Sequence, residues 1–173
     1  MMMKMLQAGG LELLTDEIRT ADEDNPRGYF ELERVKQLKE EHDWLDEARG
    51  KAVKVISQLL FDLPPTHQYK VIFMRRRLEE VLSSQKQMLL RRGTFDADVP
   101  EEILRATFLK HLDLVTDWLR LRKNIDVLYI SYNRMLEEAG PFVERINTFL
   151  GGQLKTKAMC AVVEPNLYRQ RAT

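Results

Sequence analysis

Three short apolar segments, separated by helical segments, constrain the fold of this chain more than any other feature. They cover residues 52–56, 70–74 and 126–130. Each is continuous and rich in β-branched residues rather than strictly alternating, which is typical of strands that are covered on both faces. Because strands that are connected through helices pair in parallel, we predict an α/β fold, a three-layer sandwich around a parallel sheet.

Helical periodicity marks the segments between and around these strands. Two strong helices are predicted between the second and third strands, at residues 78–91 and 100–122. Other predicted elements are an edge strand at residues 11–14 and shorter helices at residues 1–8, at 31–41, around Leu136 and at 142–150. Since no linker rich in Gly, Ser or Pro interrupts the pattern, residues 1–173 are predicted to form a single domain.

Charge and cysteine content exclude several classes of function. The 173 residues include 27 Lys and Arg against 27 Asp and Glu, so no net basic field favours a dedicated nucleic-acid binder. The single cysteine, Cys160, cannot form an intramolecular disulfide, which fits a reducing compartment. Apolar runs fall short of the roughly 18 residues that span a bilayer, and no cluster of side chains has metal-ligand spacing. We therefore predict a soluble, cytoplasmic domain with no transmembrane segment, nucleic-acid partner or metal.

An arginine cluster follows the second predicted strand. Three consecutive arginines, residues 75–77, lie at the strand-to-helix turn, and a serine pair, residues 83–84, follows two turns into the helix. In open α/β sheets ligands bind at the carboxyl ends of strands, and the planar fork of an arginine matches a phosphate. The cluster is thus a candidate anion site. The alternative is a solvated turn whose arginines pair with Glu79 and Glu80.

The spacing of Arg76 and Ser84, eight residues apart directly after an apolar strand, resembles the 3′-phosphate-binding segment of sulfotransferases. The resemblance implies that these two residues hold the 3′-phosphate of 3′-phosphoadenosine 5′-phosphosulfate. Arg75 and Ser83 have the same spacing and form the alternative register.

Further segments resemble the same family in the same order. Residues 127–136, followed by residues 142–151, are similar to its late strand–tyrosine–helix segment. Residues 25–31 and 164–171 are similar to a loop and to the C-terminal tail of bacterial sulfotransferase-like proteins. In that tail Arg169 and Arg171 are either further nucleotide contacts, as the resemblance implies, or solvated charges. These matches place the resemblance over most of the chain.

The chain departs from the family pattern at its start. Sulfotransferases begin with a strand and a phosphosulfate-binding loop of the Gly-Pro-Lys/Arg-Ser-Gly-Thr type that leads into a helix, and residues 1–10 resemble that helix. The resemblance therefore implies a fold like that of P-loop-containing nucleoside triphosphate hydrolases, truncated at the N-terminus. The methionines of the first helix are expected to form a buried face, and Met1 can at the same time be an internal methionine of a longer reading frame.

The missing strand would lie centrally in the sheet. Its neighbours would keep unsatisfied ladder groups unless the sheet closes up or a second chain supplies a strand. We therefore expect a chain that is marginally stable or that associates with itself through unpaired sheet edges.

The resemblance implies transfer of a sulfuryl group from 3′-phosphoadenosine 5′-phosphosulfate to a hydroxyl or amine of a small-molecule or glycan acceptor, by in-line displacement and without a metal. Such a transfer needs a base, for which Glu31 and His67 are candidates, and Lys54 can face substrate at a strand end. Each candidate also has a purely structural interpretation. Glu31 would be a carboxylate at a helix N-terminus, His67 an exposed loop residue, and Lys54 a lysine on an edge strand whose ammonium group reaches solvent.

Two other functions compete with this one. A truncated, non-catalytic member of the family would act as a remnant or interaction module, because it lacks the phosphosulfate loop. A phosphotransferase of the P-loop kinase type would need a Walker loop and a magnesium-binding aspartate, and the sequence shows neither.

Overall fold

Two parallel strands form the sheet in the part of this protein that the structure describes. The computed structural model describes residues 1–16, 18, 28–91, 93 and 99–163. Within these residues β1 (Tyr69–Arg75) pairs in parallel with β2 (Ile125–Ser131). The 7-residue strands run in continuous register from the pair Tyr69–Ile125 to the pair Arg75–Ser131. The predicted α/β class and two of the predicted strands are thereby confirmed.

Helices precede, connect and follow these strands. In chain order they are α1 (Met2–Ala8), α2 (Trp44–Glu47), α3 (Leu78–Arg91), α4 (Glu101–Leu121), α5 (Tyr132–Glu137), α6 (Ala139–Phe149) and α7 (Thr156–Ala161). Two 3₁₀ helices, Glu33–Gln37 and Ser57–Asp62, lie before β1. The predicted helices at residues 78–91 and 100–122 match α3 and α4, which together connect β1 to β2. Sequence periodicity missed α2, α7 and the second 3₁₀ helix, all six residues or shorter.

Apolar clusters cover both faces of the sheet. On one face α1, α5, α6 and α7 pack against alternate strand residues, and on the other face α4 and the second 3₁₀ helix do so. The first face contributes Ile72, Met74, Leu128 and Ile130, and the second contributes Val71, Phe73, Ile125 and Val127. This two-sided coverage explains why both strands read as continuous apolar runs.

The predicted strands at residues 52–56 and 11–14 are wrong in extent. They meet in a single parallel bridge between Leu13 and Ala52, where the Ala52 amide donates to Glu12 at 2.8 Å and the Leu14 amide donates to Ala52 at 3.0 Å. Val53 and Val55 instead pack as isolated apolar side chains against a third cluster, centred on Trp44. The β-branched pattern of residues 52–56 therefore indicates packing of side chains and not strand pairing.

The predicted helix at residues 31–41 is shortened to the 3₁₀ helix Glu33–Gln37. The apolar residues here, Leu32, Val35 and Leu38, are spaced three apart and all three are buried. A spacing of three matches the 3.0-residue turn of a 3₁₀ helix better than the 3.6-residue turn of an α-helix. These residues form the third cluster together with Trp44 and Leu45.

Direct pairing of β1 with β2 bears on the expected gap in the sheet. A ladder of consecutive pairs leaves no room for another strand between these two. The edges of β1 and β2 that face each other are therefore paired along their whole length.

Candidate functional site

The carboxyl ends of the two strands bring two short turns together. β1 ends at Arg75 and α3 begins at Leu78, while β2 ends at Ser131 and α5 begins directly at Tyr132. Because Arg75 and Ser131 are in register, both turns lie at the same edge of the sheet. The candidate site is formed by these turns and by the first turn of α3.

Arg76, the residue directly after β1, forms an ion pair with a buried carboxylate. Its Nε donates to Glu80 Oε2 at 2.9 Å, and the side chain of Arg76 keeps 26% of its surface exposed, whereas that of Glu80 keeps 0%. A carboxylate without solvent is stable only when its charge is paired and its lone pairs are filled. Glu80 therefore needs partners beyond Arg76.

Asn133 is such a partner. This residue of α5 is buried, and its Nδ2 donates to Glu80 Oε1 at 2.9 Å and to Oε2 at 3.1 Å. Its Oδ1 accepts a hydrogen bond from the Arg77 amide at 3.2 Å. One amide side chain after β2 thus fixes both the backbone of the turn after β1 and the carboxylate of Glu80.

Tyr132 supports the guanidinium from the other turn. The centre of the Arg76 guanidinium lies 5.3 Å from the centroid of the Tyr132 ring, within the range of a cation–π contact. Burial raises the pKa of the Tyr132 hydroxyl, with a smaller opposing effect from the charge of Arg76 and a smaller supporting one from Glu80. The ring therefore stays neutral at physiological pH.

Ser84 lies on the same side of α3 as Glu80, because four residues make about one turn of a helix. Ser84 is half-buried, whereas Ser83 is exposed. In the alternative register Arg75 is exposed too, and its guanidinium stacks over Tyr129 at 4.2 Å. Glu80 and Ser84 thus lie about one turn apart on α3, and Arg76, in the turn before this helix, contacts Glu80.

The solvated charged turn that the sequence left as an alternative is present in part. Glu79 pairs with Arg105 of α4 at 2.6 Å, and both side chains are about half exposed. Glu80 pairs with Arg76, but this pair is not solvated. The two neighbouring glutamates therefore differ in kind, since one joins two exposed helix faces and the other lies inside the strand-end site.

Glu31 and Lys54 are brought together although 23 residues separate them. Lys54 Nζ lies 3.1 Å from Glu31 Oε1 and also donates to the Tyr29 carbonyl at 3.1 Å. Between these acceptors Phe30 has a φ of 51°, in the left-handed region that non-glycine residues rarely adopt. This turn aims the carbonyl and the carboxylate at one ammonium group. Lys54 is therefore a paired, half-buried cation and not a residue of a strand.

His67 lies at the opposite edge of the sheet. It precedes β1, its carbonyl accepts a hydrogen bond from Asn124 just before β2 at 2.9 Å, and Asp46 contacts its Nε2 at 3.3 Å. A strand rises about 3.3 Å per residue, so the 7 residues of β1 separate His67 from Arg76 by roughly 20 Å. The structure thus does not bring His67 and the arginine cluster together.

Two of the segments that resemble sulfotransferases lie wholly or partly outside the described residues. Arg169 and Arg171 lie outside the described residues, as do Asn25, Pro26 and Arg27 of the loop segment. Among the residues that the structure describes, no group of three or more His, Cys, Asp or Glu side chains could hold a metal ion. In the same part of the chain no helix is both long and apolar enough to cross a membrane.

Sequence reasoning offered Glu80 as a partner of the arginines only in a solvated turn, and it missed the roles of Asn133 and Tyr132. A weak signal was present, because Glu80 follows Arg76 by four residues and Asn133 follows the predicted strand at residues 126–130 by three. Only the parallel register of β1 and β2 shows that these positions meet.

Comparison of the chain with protein-family models, with curated proteins and with solved structures gives no match. The resemblance to sulfotransferases therefore rests on the ordered sequence segments.

Proposed function

We propose that this chain is a sulfotransferase-like protein that binds 3′-phosphoadenosine 5′-phosphosulfate at the carboxyl ends of β1 and β2. The observation that carries the proposal is the position of Arg76, a half-buried arginine in the turn between a parallel strand and a helix. This is the place where open α/β sheets bind phosphorylated ligands. Arg76 and Ser84 would hold the 3′-phosphate, in the P-loop-like fold that the resemblance implies.

The proposed reaction breaks the bond between the sulfuryl sulfur and the oxygen of the 5′-phosphate. An acceptor hydroxyl or amine, on a small molecule or glycan, forms the new bond to sulfur and gives its proton to a base. The nucleotide leaves as adenosine 3′,5′-bisphosphate. Glu31 is favoured as that base over His67, because His67 lies before β1, at the amino ends of the strands and away from Arg76.

A non-catalytic interaction module is the second candidate function. Two observations favour it: the unbroken ladder between β1 and β2, and the buried carboxylate that already pairs with Arg76. In such a protein the strand-end network would hold the turns together without processing a nucleotide.

Calorimetric titration with adenosine 3′,5′-bisphosphate tests the proposed nucleotide site. We expect Arg76→Ala to weaken binding by about tenfold to a hundredfold, the effect of losing a hydrogen bond to a charged group. The matched control is Arg120→Ala, since Arg120 is an exposed arginine in the last turn of α4, shortly before β2 begins at the other edge of the sheet. Undetectable binding by the unaltered chain would refute the proposal.

Turnover separates the two candidate functions. Incubation with 3′-phosphoadenosine 5′-phosphosulfate and a panel of hydroxyl and amine acceptors should release adenosine 3′,5′-bisphosphate. Binding without release for every acceptor would favour the non-catalytic module.

A further inference from the structure

Glu80 presents a problem of charge, because it places a carboxylate inside a site that is proposed to bind an anion. Its residue surface is 1% exposed, and among the residues that the structure describes Glu80 is the one buried acidic residue. We infer that Glu80 is a positioning residue, which fixes the plane of the Arg76 guanidinium so that the site recognises the 3′-phosphate by its position. This inference rests on the proposed function.

The geometry of the ion pair supports this role. An arginine side chain has several rotatable bonds, and ordering it costs free energy that a ligand would otherwise have to supply. The bond from Nε to Glu80 Oε2 holds one edge of the rigid, planar guanidinium. With that edge fixed, the direction of the remaining N–H groups follows from the plane.

Glu80 is itself held from a second element. Both of its carboxylate oxygens accept from Asn133 Nδ2, 53 residues further along the chain. The order of support is therefore Asn133 to Glu80 to Arg76, from the turn after β2 to the turn after β1. The two hydrogen bonds from Asn133 satisfy the buried carboxylate and also fix its orientation relative to Arg76.

Burial of the pair also argues for a role beyond stability. A buried ion pair contributes little net stability compared with apolar side chains of similar volume, because desolvation offsets the attraction. Glu79, on the same helix, shows the contrasting case of a glutamate whose ion pair is exposed. The buried pair is thus better explained by the direction that it imposes on Arg76.

Two ligands of equal charge test the inference. Adenosine 3′,5′-bisphosphate and adenosine 2′,5′-bisphosphate differ only in the position of one phosphate, so general electrostatic effects cancel in the ratio of their affinities. The unaltered chain should prefer the 3′,5′ isomer. Glu80→Gln, which removes the charge and keeps the size, should lower that preference by about tenfold. Glu79→Gln, its neighbour with an exposed pair, should keep the preference.

A second readout needs no ligand. In the unaltered chain the Nε–H of Arg76 should give a resolved ¹H–¹⁵N signal that is protected from exchange with water, and Glu80→Gln should abolish this protection. Asn133→Ala keeps the charge of Glu80 and serves if Glu80→Gln does not fold. It should reduce both the protection and the preference for the 3′,5′ isomer.

The two readouts separate the two proposals. Protection of Arg76 that depends on Glu80, without binding of either nucleotide, would overturn the proposed function and leave Glu80 as the residue that orients Arg76. An unchanged isomer preference and an unchanged Arg76 signal in a folded Glu80→Gln or Asn133→Ala variant would overturn the positioning role itself.

Discussion

Asn133 donates to both carboxylate oxygens of Glu80, at 2.9 and 3.1 Å, and thereby joins the turn after β2 to the first turn of α3. Neither residue belongs to the apolar clusters that cover the two faces of the sheet. The polar link instead closes the edge of the sheet where both strands end. Its strength can be measured by substitution.

Asn133→Ala should lower the free energy of unfolding by about 2 kcal/mol, because it removes the donor from a buried, charged acceptor. Asn124→Ala, which removes a hydrogen bond to the neutral carbonyl of His67, should cost only about 1 kcal/mol. Urea denaturation monitored by circular dichroism measures both. Equal losses for the two variants would contradict a charged acceptor at Glu80.

Leu119 and Leu121 of α4 give a paired test of how this helix packs. Leu119 is 2% exposed, in the cluster with Leu60 and Val115, whereas Leu121 is 77% exposed. Leu119→Ala should cost about 2–5 kcal/mol, through lost burial and a new cavity. Leu121→Ala should stay within about 0.5 kcal/mol of the unaltered chain. Comparable losses from both would show that the helix presents another face to the sheet.

Gly10→Ala should destabilise the end of α1 by about 1 kcal/mol. Gly10 has a φ of 96°, so any Cβ there is strained although no atom lies within 4 Å of it. Gly140 in α6 also has open space around its Cα but an ordinary backbone, so Gly140→Ala should stabilise by up to about 1 kcal/mol. Thermal melts of the two variants should shift in opposite directions.

Protonation of Asp46 should make the protein less stable in acid. A hydrogen bond from Arg49 and, to a smaller extent, one from His67 hold the pKa of the Asp46 carboxyl below its usual value. A lowered pKa in the folded state stabilises the protein above the usual pKa, and this contribution is lost as the pH falls through the folded value. Denaturant titrations between pH 5 and pH 2 should therefore show a weaker acid dependence in Arg49→Ala. An unaltered dependence would show that the contact does not persist in solution.

Self-association stays a prediction from the sequence. Within the described part of the chain the sheet has two strands, so each strand has one edge that faces away from the other. If two copies pair through such an edge, the melting temperature should rise with protein concentration. A sharp melt at a constant temperature over a hundredfold range of concentration, with a monomer in sedimentation velocity, would contradict the prediction.

The sequence predicted those helices and strands in which apolar residues form a continuous run or recur at helical spacing. The apolar run before Arg75 and the stripes of α3 and α4 are properties of neighbouring residues, and all three elements lie where they were expected. Residues 52–56 form a short apolar, β-branched run, as the middle of β1 does, but they have only one bridge partner, because strand pairing depends on a second segment. Apolar composition alone cannot show whether such a segment exists.

The sequence predicted two residues of the candidate site and offered Glu80 as a partner of its arginines. Arg76 and Ser84 follow a strand at a spacing that can be read directly. Glu80 sits among charged residues and has the composition of a solvated helix face, yet it is buried because Asn133 fills its oxygens from a distant segment. Burial of a charge is decided by its partners, and here the partner lies beyond two helices.

The long connection between β1 and β2 has a consequence for how the chain folds. The two strands pair directly, but about fifty residues separate the end of β1 from the start of β2. Closing a flexible loop of that length costs about 3 kcal/mol of chain entropy. Helices α3 and α4 can form from local contacts before this closure and shorten the distance that the strands must search. Strand pairing should then limit the folding rate, so substitutions within β1 and β2 should slow folding, whereas changes on the exposed faces of α3 and α4 should mainly alter the rate of unfolding.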